Sequence, residues 1–262
     1  MEKDEYRKMF ELEDTYWWFA GRRHLVRRLI GGMDLPAGAR ILDAGCGTGA
    51  GLDNLERFGK AFGVDFSPDA LAFCRRRGKP YLLRTRLEAL GVRDASFDVI
   101  TILDVLEHID DDAKVLASLL RALKPGGRLI VTVPAYPFLW SEHDEALHHK
   151  RRYRVRELAE RVTSAGFVIR RMSGLVTSFL PLIVFFRMVQ KLFPHKGGPK
   201  TSFLVLPKIA NDVLKGILMT EVEISTRVGF PAGVTLYLVA EKPATVEVAV
   251  APPIPILAAA AS

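Results

Sequence analysis

The chain has 262 residues, 49% of them hydrophobic, and carries a net charge of +7 from 37 Lys and Arg against 30 Asp and Glu. That length lies near the upper end for one domain and the apolar fraction fills a core, which excludes a disordered or collagen-like chain. Two cysteines are too few for a disulfide framework and read as reduced thiols of a cytoplasmic protein.

The acidic start Met1-Glu2-Lys3-Asp4-Glu5 adjoins no apolar run and does not read as a secretion signal. An N-terminal helical segment over residues 1–35 carries, late in its helix, the run Tyr16-Trp17-Trp18-Phe19 followed by Arg22 and Arg23. Four consecutive aromatics cannot share one face of a helix, so some pack on the core and others meet another surface. Basic clusters at 22–28, 75–77 and 150–156 read mostly as solvated helix faces. Their functional alternative is attraction to an anionic partner: a phosphate-bearing substrate, a membrane surface or a nucleic acid. Nucleic acid is the weakest of the three, because aromatic and basic residues do not alternate as a stacking platform requires.

Pro36 and Gly38 introduce a first strand, Arg40 to Ala44, which runs into Gly45-Cys46-Gly47-Thr48-Gly49-Ala50-Gly51. Helical spacing resumes through Leu52, Leu55 and Phe58, and a second strand, Ala61 to Val64, closes on Asp65. Glycines let the backbone approach a ligand closely, and the later carboxylate can accept two hydrogen bonds from ribose hydroxyls. Ser67-Pro68-Asp69 is a helix start with a hydroxyl cap and proline in the first turn, and Leu71, Ala72 and Cys74 are its expected buried positions. Phe97 to Asp104 reads as strand four, followed by Val105-Leu106-Glu107-His108-Ile109 and a helix through Val115, Leu116, Leu119, Leu120 and Leu123. Lys124-Pro125-Gly126-Gly127 reads as that helix's cap, with a fifth strand over Arg128 to Val133. Alternating strands and helices imply a parallel sheet with crossover helices.

Gly45 to Ala50 also fits the G-x-G-x-x-A fingerprint of dinucleotide-binding proteins. The downstream order decides between the two. Asp-x-Gly-x-Gly-x-Gly, an acidic end to strand two, Phe-Asp, Glu-His and Leu-Lys-Pro-Gly-Gly closely resemble class I S-adenosylmethionine (SAM) dependent methyltransferases, in the branch of the quinone-biosynthesis enzymes. A short-chain dehydrogenase would want Tyr-x-x-x-Lys, and no tyrosine here has lysine four residues on. The Trp-Trp-Phe-x-Gly-Arg-Arg run and the later Glu-His-Asp-x-x-x-x-His-x-Arg-Arg-Tyr run resemble a bacterial subgroup associated with lipid and surface-glycan pathways, extending the resemblance to roughly residues 6–171. It implies an α/β, doubly wound, mostly parallel seven-stranded sheet with the last strand antiparallel, an N-terminal helix and an inserted helical cap.

For the cofactor, the resemblance places Gly45, Gly47 and Gly49 against the methionine moiety and Asp65 on the ribose, with Asp43 a further cofactor-binding residue. Phe66 would flank adenine, Leu87 would offer its backbone N–H to the ring, and Asp104 would complete the set. One position departs from the family. Arg86 stands where an aspartate usually accepts from the adenine amino group, and an arginine cannot accept. Either that contact is lost, or a neighbour or backbone carbonyl replaces it.

The loop after strand five, Leu139 to Tyr153, leaves the carboxyl end of a strand, where open α/β folds bind substrates. His143 or His149 is the candidate proton acceptor, oriented by Asp144. Trp17, Trp18, Arg22, Trp140, Arg151, Arg152 and Tyr153 are the candidate acceptor contacts, with the aromatic run as a lid over the pocket. His108 is read as shaping the mouth of strand four. The spacing of His143, His148 and His149 matches no zinc arrangement, and no metal is expected.

A sixth strand, Phe167 to Met172, and a seventh, Val234 to Glu241, are separated by two apolar but broken stretches, Leu175 to Phe193 and Phe203 to Met219. The longest unbroken apolar run, Phe179 to Phe186, is far short of the ~20 residues that cross a bilayer. These stretches read as a cap over 174–222, with shallow membrane association through Arg187, Lys191, Lys196 and Lys200 as the minority alternative. The tail 243–262, rich in Ala and Pro, reads as disordered, leaving 1–242 as one domain. The expected function is methyl transfer from SAM to a small-molecule or lipid-linked acceptor, at O or N rather than C. The alternatives are an NAD-dependent oxidoreductase, a non-catalytic SAM-fold binding protein, and a tRNA or protein methyltransferase. The expected location is cytoplasmic, with peripheral membrane contact as a variant.

Overall fold

In the computed structural model, residues 3–192 and 206–244 are described. Helices α1 (Lys3–Leu12) and α2 (Trp17–Gly31) precede β1 (Arg40–Ala44), α3 (Ala50–Leu55), β2 (Lys60–Asp65), α4 (Pro68–Arg76), β3 (Leu82–Arg84) and β4 (Phe97–Leu103). There follow α5 (Asp112–Ala122), β5 (Leu123–Pro134), α6 (Glu142–Ala146), α7 (Val155–Ser164), β6 (Val168–Leu175), α8 (Leu180–Leu192), α9 (Lys208–Ser225) and β7 (Thr235–Glu241). The seven strands form one sheet in the order β3-β2-β1-β4-β5-β7-β6. The first five are parallel, and β7 inserts antiparallel between β5 and β6. This is the doubly wound sheet expected, with its reversal of strand order between β1 and β4. Ligands in such folds bind outside the carboxyl ends of the strands at that reversal.

Alternate side chains of the strands serve opposite faces, as the two-residue period requires. Leu42, Ile100, Leu129 and Leu238 join the cluster under α5 and α7, while Ile41, Val99, Ile130 and Val239 join the one under α3 and α4. All eight are buried, and each full burial of such a side chain is worth roughly 1.5–3 kcal/mol. Both faces are therefore dry, and the site can lie only at an edge of the sheet.

Several boundaries differ from expectation. The aromatic run lies not late in one helix but at the start of a second, with the break at residues 13–16. Asn211 of α9 accepts from the Trp17 N–H at 2.9 Å and donates to the Thr15 carbonyl at 3.0 Å, satisfying a helix-start donor that Tyr16 does not cap. α5 ends at Ala122, and Leu123 already pairs with Phe97, so Lys124 to Gly127 belong to β5 and not to a helix cap. Lys124 is held there by both oxygens of Asp98, at 2.7 and 2.8 Å. Ala72 is exposed, whereas Leu71 and Cys74 are buried. β6 continues through Leu175, so the inserted segment starts later than expected, and α9 extends beyond it to Ser225. The limits at Phe193 and Phe203, the side chains of Lys191, Lys196 and Lys200, and the tail from 245 lie outside what is described.

The insertion docks on the N-terminal helices. At Gly21 an added Cβ would fall 2.2 Å from Leu218 Cδ2, so α2 and α9 approach as closely as a glycine permits. Leu25, Leu218, Val222 and Tyr237 form the buried contact between them and the sheet. Glu221, 3% exposed, accepts from the Thr177 and Ser178 N–H groups and the Ser178 hydroxyl at 2.6–2.9 Å, anchoring the entry to α8.

Candidate active site

One cavity of about 670 Å³ runs along the carboxyl ends of β1, β2 and β4, roofed by α1, α2 and α8. Its first end is the glycine turn. Gly45 and Gly47 have positive φ, and a Cβ on Gly45 would lie 2.5 Å from Val105 Cγ2. Only glycine leaves the backbone bare there. Asp43, 4% exposed, accepts from the Thr101 hydroxyl at 2.7 Å. Burial pushes its carboxyl above the usual range.

Asp65 accepts from the Gly47 N–H at 3.0 Å and the Ser67 N–H at 2.9 Å. Burial raises its pKa, against the effect of these backbone bonds. A carboxylate has about four lone-pair sites, so two remain for a diol. Phe66, 57% exposed, presents a free aromatic face at the cavity wall. Leu87 opens a short 3₁₀ turn, where its N–H has no partner within the turn. Arg86 is exposed and lines the cavity beside Thr85 and Glu88. Gly49 does not line the cavity. It has φ +94° at the start of α3, and its missing Cβ makes room for Cys74 Sγ, 3.0 Å away, which explains the glycine without a ligand. Cys46 lies 3.8 Å from Cys74, and the Cys74 contact and burial hold its thiol protonated.

α1 closes over the turn. Tyr6, Met9 and Glu13 line the cavity, and the Glu13 carboxylate accepts from Thr48 at 2.5 Å and from Arg77 at 2.9 Å. The sequence reading missed these residues, because an exposed-looking acidic helix gives no sign of the threonine it will meet.

The other end of the cavity is built from the loops after β4 and β5. Trp17, Trp18 and Arg22 line it, together with His143, His149 and Arg152. Asp104, at the end of β4 with φ +56°, accepts from Arg22 at 2.6 Å and from the Thr132 hydroxyl at 2.9 Å. Asp144 lies behind the wall, fully buried, and accepts from His149 Nδ1 at 2.9 Å. Burial works to raise its pKa, but the bonds from His149 and Arg152 outweigh it and hold the carboxyl well below the usual range. The orienting partner thus belongs to His149, whose Nε2 is left facing Glu107 at 4.0 Å. Burial depresses both His108 and His143 to about 4.

Four of the expected acceptor contacts are placed otherwise. Arg152 is buried and donates twice to Asp144 and once to the Ala135 carbonyl, so its fork is consumed within the protein. Arg151 turns to Asp112 and the Asp110 carbonyl. Tyr153 is wholly buried in the core, donating to Asp112 at 2.8 Å. Trp140 is half-buried and does not line the cavity. The charge run folds inward because the buried carboxylates of Asp112 in α5 and Asp144 in α6 meet it. Residues found only in the structure are Glu107, Ile183 and the cavity-lining face of Arg187, a cation whose position inside an apolar stretch was the one available signal.

Comparison with known proteins agrees with this architecture. Residues 42–131 match the family described as a methyltransferase domain. A probable S-adenosylmethionine-dependent methyltransferase of Mycolicibacterium smegmatis is 33% identical over 168 residues, covering 62% of this chain and 63% of the relative. A ubiquinone biosynthesis O-methyltransferase of Xanthomonas oryzae is 33% identical over 107 residues, covering 38% of this chain and 44% of the relative. The chain thus spans less than two thirds of the length of these two relatives. In fold, a SAM-dependent methyltransferase of Thermotoga maritima, a possible histamine N-methyltransferase, aligns with a TM-score of 0.58 at 21% identity over 91% of this chain and 95% of that one. Over residues 42–131 the chain is thus similar to SAM-dependent methyltransferases, and its glycine turn, Asp65 and sheet order are those of the class I methyltransferase fold.

Proposed function

We propose that the protein transfers a methyl group from SAM to a small-molecule or lipid-linked acceptor, at oxygen or nitrogen. The observation that carries this reading is the continuity of one cavity from the glycine turn and Asp65 to the histidine cluster. The first end fits the cofactor: a bare backbone at Gly45 and Gly47, a carboxylate with acceptor sites to spare, and an open aromatic face at Phe66. SAM supplies a sulfonium-bound methyl that is already a good electrophile. What remains for the protein is to align the acceptor and exclude water. An all-parallel dinucleotide-binding sheet would lack the antiparallel β7, which counts against the oxidoreductase alternative.

Trp17 and Trp18 wall the acceptor end, and His149, fixed by Asp144, is the group there that can take a proton from an acceptor that must lose one. The acceptor's class is read from α8. Ile183 and Arg187 line the cavity, while Leu182, Phe185, Phe186 and Met188 are each more than half exposed on the same helix. An apolar outer face on the helix that roofs the site suits an acceptor presented at a membrane surface. No helix among the described residues is long and apolar enough to cross one. We assign 1–35 as lid and the segment from α8 through α9 as cap within a single domain of 1–242.

Calorimetry with S-adenosylhomocysteine tests the cofactor half, with binding expected and its absence sinking the reading. Tritiated SAM incubated with a bacterial lipid extract and with a water-soluble metabolite fraction tests the acceptor. Label in the organic phase supports a lipid-linked acceptor, and label only in the aqueous phase removes it.

A further inference from the structure

The Leu106–His108 turn after β4 places a carboxylate to which no group among the described residues donates a hydrogen bond. Glu107 is 0% exposed, and neither of its oxygens has a hydrogen-bond partner among the described residues. A buried carboxylate in that condition is costly, so it is protonated or it faces a cation. The neighbouring arginines reach it only through their charge, not by hydrogen bonds: Arg22 bonds to Asp104, and Arg152 bonds to Asp144. What does face it is imidazole. One ligand atom each from Glu107, His108 and His149 lie within 4.8 Å of one another, and His149 Nε2 is 4.0 Å from Glu107 Oε1.

We propose that Glu107, His108 and His149 bind a divalent first-row transition cation at the acceptor end of the cavity. The donor set of two imidazoles and one carboxylate suits such an ion better than Mg²⁺ or Ca²⁺, which prefer all-oxygen surroundings. At metal–ligand distances of about 2.0–2.2 Å, tetrahedral ligand atoms lie about 3.4 Å apart, so the three atoms draw in by roughly 0.5–1 Å when an ion binds. The surroundings are those a metal site requires. Asp144 takes a bond from His149 Nδ1 and so aims Nε2 at the cluster. The two loops are joined by the Lys150 N–H donating to the Glu107 carbonyl at 2.8 Å, which fixes the spacing of the three ligands before any ion arrives.

All three residues line the cavity, so a bound ion keeps open positions toward the acceptor. There it would polarise an acceptor oxygen and ease departure of its proton to solvent. This role rests on the methyl-transfer reading, and the binding site itself does not. It also competes with the proton-acceptor role of His149, since one nitrogen cannot serve both.

The test uses the full chain, stripped with chelator and titrated with Co²⁺ alone, then Zn²⁺ and Mn²⁺, by calorimetry and by visible absorption of the cobalt form. One equivalent is expected, with a cobalt band typical of mixed nitrogen and oxygen ligands. Glu107→Gln and His108→Ala should each weaken binding by roughly 100-fold or more, beyond the 10–100-fold seen for outer partners of metal sites. Binding that survives in Glu107→Gln overturns the proposal, as does a wild-type chain that takes up no ion. S-adenosylhomocysteine binding is measured on the same samples. A chain that binds the nucleoside but no metal sinks this inference alone, while one that binds neither sinks the functional reading as well.

Discussion

Arg152 grips Asp144 through both arms of its guanidinium, Nε to Oδ1 at 2.8 Å and Nη2 to Oδ2 at 3.0 Å, in a fully buried setting. An arginine expected to hold the acceptor is instead the strut behind the histidine that faces it. Truncating one partner leaves the other charge buried and unpaired, so Arg152→Ala should cost about 3–5 kcal/mol of stability. Arg152→Lys keeps the charge but loses the fork, and should recover only part of that loss. Urea denaturation of the three proteins checks the order. Equal midpoints would mean that the pair does not hold the loop.

Asp65→Ala should weaken S-adenosylhomocysteine binding by roughly 1.5–3 kcal/mol, the worth of hydrogen bonds to a charged acceptor. The variant also frees the Gly47 and Ser67 N–H groups, so calorimetry is read beside a thermal melt. Weakened binding in a chain with an unchanged melting temperature isolates the ribose contact. Unchanged affinity would remove Asp65 from the cofactor site.

Gly21→Ala tests whether the cap must sit on the lid. The new Cβ would fall 2.2 Å from Leu218 Cδ2 and 2.6 Å from its Cγ, too close to both for a small adjustment of the side chain. Overpacking of this kind costs about 1–3 kcal/mol, against a gain in helix propensity below about 1 kcal/mol. A net loss of stability is expected, reversed in the double variant with Leu218→Ala. If the double variant is no better than the single, α2 and α9 do not meet as described.

What the sequence made legible follows the range of the interactions. β1, the glycine turn and Asp65 are written in contiguous residues, and so was the cap of α4, where Ser67 accepts from the Ala70 N–H. The end of α5 was misread because Leu-Lys-Pro-Gly-Gly is a good helix stop in isolation, while Leu123 has a strand partner at Phe97 that no local pattern reveals. The charge run at 150–153 failed for the same reason. Its partners Asp112 and Asp144 are buried carboxylates, and burial of an acid is not a property of its neighbours in the chain. Glu107 was read only as half of a Glu-His pair, whereas its isolation becomes visible once β4 and β5 bring His108 and His149 together.

Arg86→Asp addresses a position where the chain departs from the methyltransferase pattern it resembles. Arg86 is exposed at the cavity wall, and the hydroxyl of Thr85 is already donated to the Ala89 and Arg86 carbonyls. The neighbouring carboxylate of Glu88, which also lines the cavity, is the charged side-chain acceptor beside Arg86 for an adenine amino group. Restoring an aspartate at 86 should tighten S-adenosylhomocysteine binding by about 0.5–1.5 kcal/mol, the net value of one added hydrogen bond. Glu88→Gln should loosen it in the wild type and matter less in the Arg86→Asp background, because the two acceptors then serve one donor. Calorimetry on the four proteins of this cycle measures the coupling directly. Additive effects would show that Glu88 and residue 86 address different parts of the ligand, and a loss of affinity in Arg86→Asp would assign the arginine a contact of its own.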